Sequence, residues 1–434
     1  MVKRRLLANY FKDTTRGNGV ITMGRNKRYS GYKAYQYLEP KIDYVEVKLR
    51  DEIRKDWSYL FPLSKTEEER FESIVEKSVF VDLHEHPVAF PEDVYAVRRN
   101  EGRQFMAYEA LSKSGLDCVF DNMMDGSSDI TSKSGWKWTD VIHDLGMRLC
   151  DIAHQDFVVH CKRVDDITCA HETRGLAWVA VLESLSCIEN EVDRIDILHG
   201  LGVRSAGITY SESNMLGSGL RERNDGGLSD LGYEAVVRMD KVGMLIDVSH
   251  SSDRTAMDVI ELSKKPIVIS HCGSRTLTPT KRMKPDNVLQ ALAERHGVLG
   301  VEMAGAVVKT EKNPVSNLEA YMEQIEYCIK LMGIDHVGCG PDTLYGDHIG
   351  LYKAMAEKNK TQGFGHYSRE GTAEDTVLGM RMDLASLPEY VKGLENPTEC
   401  LQNVARWMIR HGYSDQEIAK IVGRNALQLL KEVW

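Results

Sequence analysis

Val79-Phe80-Val81-Asp82-Leu83-His84-Glu85-His86 is the stretch on which the fold turns. Four of its first five residues are apolar, the pattern of a strand buried on both faces of a parallel sheet. The run ends in two histidines one residue apart. Alternate residues of an extended chain point to the same side, so His84 and His86 can face one ion together. Two neutral imidazoles at a strand end begin a zinc site. The competing reading is a surface histidine pair beside the turn that Pro87 suggests.

Outward from this stretch, strands and helices alternate. Further strands are expected at 117–122, 176–182, 203–210, 244–250, 266–271, 297–303 and 336–342. Helical stretches fall near 104–113 and at 138–159, 188–201, 228–242, 253–263, 287–295 and 315–332. Apolar strands separated by helices mean a parallel sheet covered on both sides. Eight such units predict an α/β fold, a closed (β/α)8 TIM barrel. A doubly wound open sheet is the alternative, but no GxGxxG follows the first strand. Residues 1–77 read as an N-terminal arm and leading helix, and 78–434 as the barrel domain. That domain carries a long polar loop at 343–385 and C-terminal helices at about 397–411 and 414–432. Ser64 or Thr66 is the expected N-cap of the leading helix. Ser414 and Glu417 predict a capping box.

Composition narrows the function classes. The chain has 434 residues, 42% hydrophobic and 28% charged, with a net charge of −10. These are the proportions of a soluble globular protein with no general attraction to nucleic acid. The first 35 residues depart from this, with nine Lys or Arg against one acid, Asp13. Tyr29, Tyr32, Tyr35, Tyr37 and Tyr44 give that region apolar area to bury, so it reads as an arm that wraps its own domain or a neighbour. Nine cysteines with no CxxC spacing look like free thiols. With no membrane span and no apolar leader run, the expectation is a cytoplasmic protein without membrane contact.

The polar residues at the predicted strand ends form one set. The first strand ends in His84 and His86, the third in Glu183, the fifth in His250, the sixth in His271 and the eighth in Asp342. In a (β/α)8 barrel these ends converge on the face where active sites lie. Singly, each histidine reads as a hydrogen-bonded core residue. Together they suit two metal ions, with His84 and His86 on one, His250 and His271 on the other, and Glu183 bridging. The remaining histidines show no such pattern, although His348 and His366 could line the pocket from the loop after the eighth strand. The expected chemistry is hydrolysis at a polarised carbonyl by a metal-bound hydroxide, with Asp342 moving the proton.

The segments 243–250, 266–271, 281–289 and 337–342, and the tail from Gly412 to Trp434, resemble the membrane (renal) dipeptidases of the amidohydrolase superfamily. The resemblance covers roughly 78–434. It implies a binuclear zinc barrel, two Zn2+ per chain, in a homo-oligomer that is usually a dimer, hydrolysing small amides such as dipeptides. It matches His84 to the first metal ligand, Glu183 to the bridging carboxylate, and His250 and His271 to the second ion's ligands. Arg282 matches the arginine that holds the substrate carboxylate, and Asp342 the proton-transfer carboxylate. Three features depart from the family. His84-Glu85-His86 stands where His-x-Asp is usual. Thr209-Tyr210 stands where a histidine contacts the scissile group, and a Tyr210 hydroxyl can donate to an oxyanion without becoming cationic. The arm and the 343–385 loop are longer than usual.

The function so read is cleavage of an amide bond in a small, carboxylate-bearing molecule. Its alternative is the same metal chemistry on a lactone, a cyclic amide or an amidine. A non-catalytic binding barrel is the third reading. Asp247 is expected as a buried acid behind a ligand histidine, and Cys272 as a small buried hydrophobe.

Overall fold

The computed structural model describes residues 27–50, 59–93, 103–123, 136–303, 309–346, 376–377, 380–381 and 391–434. The predicted barrel is present. Its strands are β1 (Val81–Ala89), β2 (Phe105–Met106), β3 (Cys118–Asn122), β4 (Val158–His160), β5 (Leu176–Leu182), β6 (Val203–Gly207), β7 (Leu245–Asp247), β8 (Val268–Cys272), β9 (Val298–Val301), β10 (Val337–Cys339) and β11 (Leu344–Tyr345). The sheet runs β10-β9-β8-β7-β6-β5-β3-β1-β11, with every neighbouring pair parallel. Its two edges meet where Asp342 N–H donates to the His84 carbonyl and His86 N–H to that of Thr343, each at 3.0 Å. A (β/α)8 TIM barrel results, with β1 as its seam.

The first strand lies later than expected, at Val81–Ala89 rather than 78–84, because its upper half pairs with β11 and with the short antiparallel β2. The strand β4 was not foreseen; it lies beside β5 and falls in the stretch expected to be helical to 159, where the helix stops at Ile152. The outer helices have the local signals their positions need. Asp230–Val242, for example, is capped by Ser229 and ends at Gly243, whose φ of 76° is the left-handed conformation glycine tolerates best.

Inside the barrel, residues alternate. Val81, Cys118, Phe120, Ala177, Val179, Leu245, Val268 and Val298 form one apolar cluster with Ala426, Leu429, Leu430 and Val433 of the helix Asn425–Val433. That helix lies at the strand starts: Lys265 Nζ donates to Val433 O at 2.7 Å, and Trp434 Nε1 to Arg204 O at 3.3 Å. The C-terminal helix is therefore the plug of the N-terminal end of the barrel. The expected single helix over 414–432 is interrupted. It begins with the predicted capping box of Ser414 and Glu417, then passes through a π turn at Lys420–Arg424. The reason is a close approach: a Cβ on Gly423 would lie 2.0 Å from Val79 O.

The leading helix Lys65–Lys77 carries a capping box of Ser64 and Glu67 and packs on the C-terminal helix Cys400–Arg410. Arg406 pairs with Glu68, and Arg410 with Glu67 at 2.9 Å. Residues 27–50 lie across their own barrel. Asp151 gathers that segment, accepting from Tyr32 OH and Tyr35 N–H at 2.7 Å each, and from Tyr108 OH at 2.8 Å. Lys27 Nζ reaches Asp117 at 2.6 Å, and His171 lies 2.9 Å from the other oxygen of that carboxylate. Most of the 343–385 loop, with His348 and His366, and the basic residues up to 26 lie outside the described residues.

Candidate metal centre

The C-terminal end of the barrel inverts the character of its lower half. Counting by twos up each strand from the inward apolar residues leads to Asn122 on β3, Glu183 after β5, Asp247 on β7, Ser270 on β8 and Glu302 after β9. All five are buried, as are His84, His86, His250, His271 and Asp342. Polar groups removed from water in such number need partners.

The partners fix the histidines. Ser270 Oγ donates to Asp247 Oδ2 at 2.5 Å. It lies 2.8 Å from His271 Nδ1 and 3.2 Å from His84 Nδ1. With its proton committed to Asp247, Ser270 accepts from both rings, so each carries its proton on Nδ1. His86 Nδ1 faces the Asn122 carbonyl at 3.2 Å, which has the same effect. The Nε2 lone pairs are then left pointing inward, the arrangement in which imidazoles bind metals. His250 Nδ1 faces Ser211 Oγ at 3.1 Å, and its ring is stacked by Tyr210 at 4.3 Å between centroids.

Two groups of ligand atoms result. Glu183 Oε1 lies 2.8 Å from His250 Nε2 and 3.0 Å from His271 Nε2, and those two nitrogens are 2.9 Å apart. Asp342 Oδ1 lies 3.1 Å from His86 Nε2 and 3.7 Å from His84 Nε2. The groups adjoin, since His84 Nε2 is also 3.7 Å from Glu183 Oε1. The atoms of Glu183, His250 and His271, and those of His84, His86 and Asp342, each fall within 4.8 Å of one another, the reach of one ion. Burial pushes the His84 ring down to about 3 and holds His250 and His271 well below the usual range, so all three are neutral. Burial first, and then the charge of Asp342, pushes the Glu183 carboxyl well up. Converging lone pairs beside buried carboxylates repel one another unless cations lie among them. The donor set fits divalent metal ions that accept nitrogen and oxygen ligands.

Asp342 holds a φ of 60°, a left-handed conformation that is uncommon outside glycine, at the seam where it bonds back to His84. Close packing sets the same region: a Cβ on Gly340 would lie 1.7 Å from Ser270 O. The Tyr210 hydroxyl is kept protonated, chiefly by burial and then by Glu183. Arg282 stands one layer back. It is fully buried, its Nη2 donates to His271 O at 3.0 Å, and it is ion-paired with Glu302 at 2.6 Å.

His84, His86, Glu183, His250, His271, Asp342, Tyr210 and Arg282 thus lie in or against one cluster, with Asp247 behind the histidines and Cys272 buried against the Arg282 carbonyl, while His348 and His366 fall outside the described residues. Four participants were missed: Asn122, Ser270, Lys284 and Glu302. Asn122 Nδ2 donates to Glu183 Oε2 and lies 3.3 Å from His84 Nε2. Its position, like that of Glu302, was available from the alternation of its strand. Ser270 was hidden because only the tertiary fold sets it among three partners. The fully buried Lys284 donates to Ser251 O, a contact between two loops that strand patterning cannot reveal.

Fold and site together define a (β/α)8 barrel with a buried cluster of candidate metal ligands. The profile of the membrane dipeptidases, peptidase family M19, matches residues 68–355, and the chain belongs to that family. Dipeptidase tcpJ of Claviceps purpurea is 27% identical over 292 residues, 67% of this chain and 58% of that protein. An uncharacterized protein in the pqqA 5′ region of Klebsiella pneumoniae is 26% identical over 63% of this chain and 88% of its own length. An amidohydrolase from Pseudomonas aeruginosa has a similar solved structure, with a TM-score of 0.67 and 24% identity over 84% of this chain and 99% of its own. A metallopeptidase from Rhodobacter sphaeroides, solved with a phosphinate mimic of the dipeptide L-Ala-D-Ala, superposes with a TM-score of 0.58 and 17% identity over 82% of this chain and 100% of its own.

Proposed function

We propose that this protein is a metal-dependent hydrolase of small amides, dipeptidase-like, using two divalent ions, zinc in the first instance. The observation that carries the reading is the convergence of His84, His86, Glu183, His250, His271 and Asp342 at the C-terminal end of the barrel. Membership of the dipeptidase family supports amide bonds as the target. When bound, the ions supply positive charge that polarises a carbonyl and acidifies water.

The chain's own residues do the rest. Asn122 holds one oxygen of Glu183, so the other is presented to His250 and His271. Asp342 Oδ1, 3.1 Å from His86 Nε2, takes a proton at the reacting centre and returns it to the leaving nitrogen. The Tyr210 hydroxyl, protonated at all working pH values, donates to the oxygen that gains charge. Arg282 holds the polar end of the substrate away from the scissile bond, where the family resemblance implies a carboxylate. We place the protein in a reducing compartment, in keeping with nine free cysteines. No helix among the described residues is long and apolar enough to cross a membrane.

The test is elemental analysis of protein purified without chelator, wild type beside His250→Ala, followed by hydrolysis of dipeptides and of cyclic and acylated amides. About two ions per chain, fewer in the variant, and amide cleavage lost on chelation are expected. Protein free of metal and inert towards every amide would leave a binding barrel.

A further inference from the structure

Asp247 stands behind both ligand groups and reaches them through a single hydroxyl. Its Oδ1 accepts from Ser249 N–H at 2.9 Å, from Ser249 Oγ at 2.6 Å and from Ser270 N–H at 3.1 Å. Its Oδ2 accepts from Ser270 Oγ at 2.5 Å. A hydroxyl has one proton and two lone pairs. The proton of Ser270 goes to Asp247, and its lone pairs face His271 Nδ1 at 2.8 Å and His84 Nδ1 at 3.2 Å. Ser249 Oγ lies 3.3 Å away, but its proton also goes to Asp247. Asp247, Ser270 and both rings are buried, so water does not compete for these bonds. The two rings belong to different groups. His84 stands with His86 and Asp342, and His271 with Glu183 and His250. The other two rings have partners of their own, the Asn122 carbonyl for His86 at 3.2 Å and Ser211 Oγ for His250 at 3.1 Å.

An acceptor behind Nδ1 fixes the rotation of a ring, keeps its Nε2 lone pair forward and makes that nitrogen more basic. An acceptor that serves one ring does this for one ion. An acceptor that serves a ring from each group does it for both. We propose that Ser270 is a positioning residue held in common by the two ion sites, conveying the charge of Asp247 to one ligand of each, so that its loss weakens both ions together. This rests on the two-ion reading above and deepens it, since the sites then share an outer hydroxyl as well as the carboxylate of Glu183.

The experiment titrates the full chain, stripped by chelator, with Zn2+ alone in competition with a chromophoric chelator, and reads the two stepwise dissociation constants. Ser270→Ala is expected to raise both constants, each by ~10–100-fold, the usual cost of losing an outer partner of a ligand histidine. Ser211→Ala removes a partner that serves His250 alone and is expected to raise one constant only. Ser270→Thr keeps the hydroxyl and is expected to keep both constants near those of wild type, a rescue that a merely space-filling role would not give. Should Ser270→Ala fail to fold, Ser270→Cys, whose sulfur is a weak acceptor on the same backbone, is read in its place. A rise in one constant or in neither, or an equal loss in Ser270→Thr, overturns the proposal and leaves the two-ion reading standing. Wild type that takes up fewer than two ions overturns that reading, and the proposal with it.

Discussion

The two ends of the barrel are built from the same strands and could hardly differ more. At the N-terminal end, inward positions such as Val81, Ala177, Leu245 and Val298 close on Leu429, Leu430 and Val433 of the last helix. Two to six residues further along the same strands stand His84, Glu183, Asp247 and Glu302, all buried. One end is stable by itself, because apolar side chains leave nothing unmet. The other is a set of converging acceptors and buried charges that a core would never choose. Stability and chemistry are thus separated along one axis, and the separation can be tested.

The largest effect is expected at the polar end. His250→Ala removes a ligand atom 2.8 Å from Glu183 and should lower metal content by elemental analysis, with a loss of at least ~10³-fold in amide hydrolysis, the scale at which metal-supplied chemistry operates. Asp342→Asn should lower kcat by ~10²–10⁴-fold while metal content holds, as for the loss of a proton carrier. Asparagine tolerates the φ of 60° that this residue adopts, so the backbone should survive the change. An unchanged kcat would move the proton transfer elsewhere.

The apolar end should respond in the opposite way. Leu429→Ala leaves a hole in the plug and should destabilise the protein by ~2–5 kcal/mol in denaturant unfolding, with metal stoichiometry intact. Metal loss in this variant would mean that the two ends are coupled. A smaller effect is expected of Asn122→Ala, which frees Glu183 Oε2 and should weaken metal affinity by ~10–100-fold in a chelator competition, as loss of an outer partner does. Last is pH. His84 is neutral when folded, with its proton affinity pushed down to about 3, and ordinary when unfolded. The unfolded chain therefore binds the extra proton as pH falls below ~6.5, and stability falls with it until about 3. The melting temperature of the chelated protein should drop across that window, and a flat profile would mean that the rings are charged when folded.

Much of the site was legible because strand ends are local facts. An apolar run that stops at His84 or Glu183 says where a strand leaves the core and what it offers there. Asn122 and Glu302 were equally readable by alternation, yet were passed over because neither resembles a metal ligand in its own neighbourhood. The boundaries of β1 and the break at Gly423 were not readable. Both answer to contacts made far along the chain, with β11 and with Val79 O.

The sequence by itself determined the eight strand–helix units, the capping boxes at Ser64 and Ser414, and the residue types at the top of the barrel. These depend on periodicity and on side-chain chemistry within a few residues. The tertiary structure alone decided that Ser270 sets the protons of two histidines, that the last helix plugs the barrel, and that Arg282 and Glu302 lie side by side. Each of these joins residues that adjoin only when the sheet curls until β1 meets β10, and closure is a property of the whole chain, not of any segment.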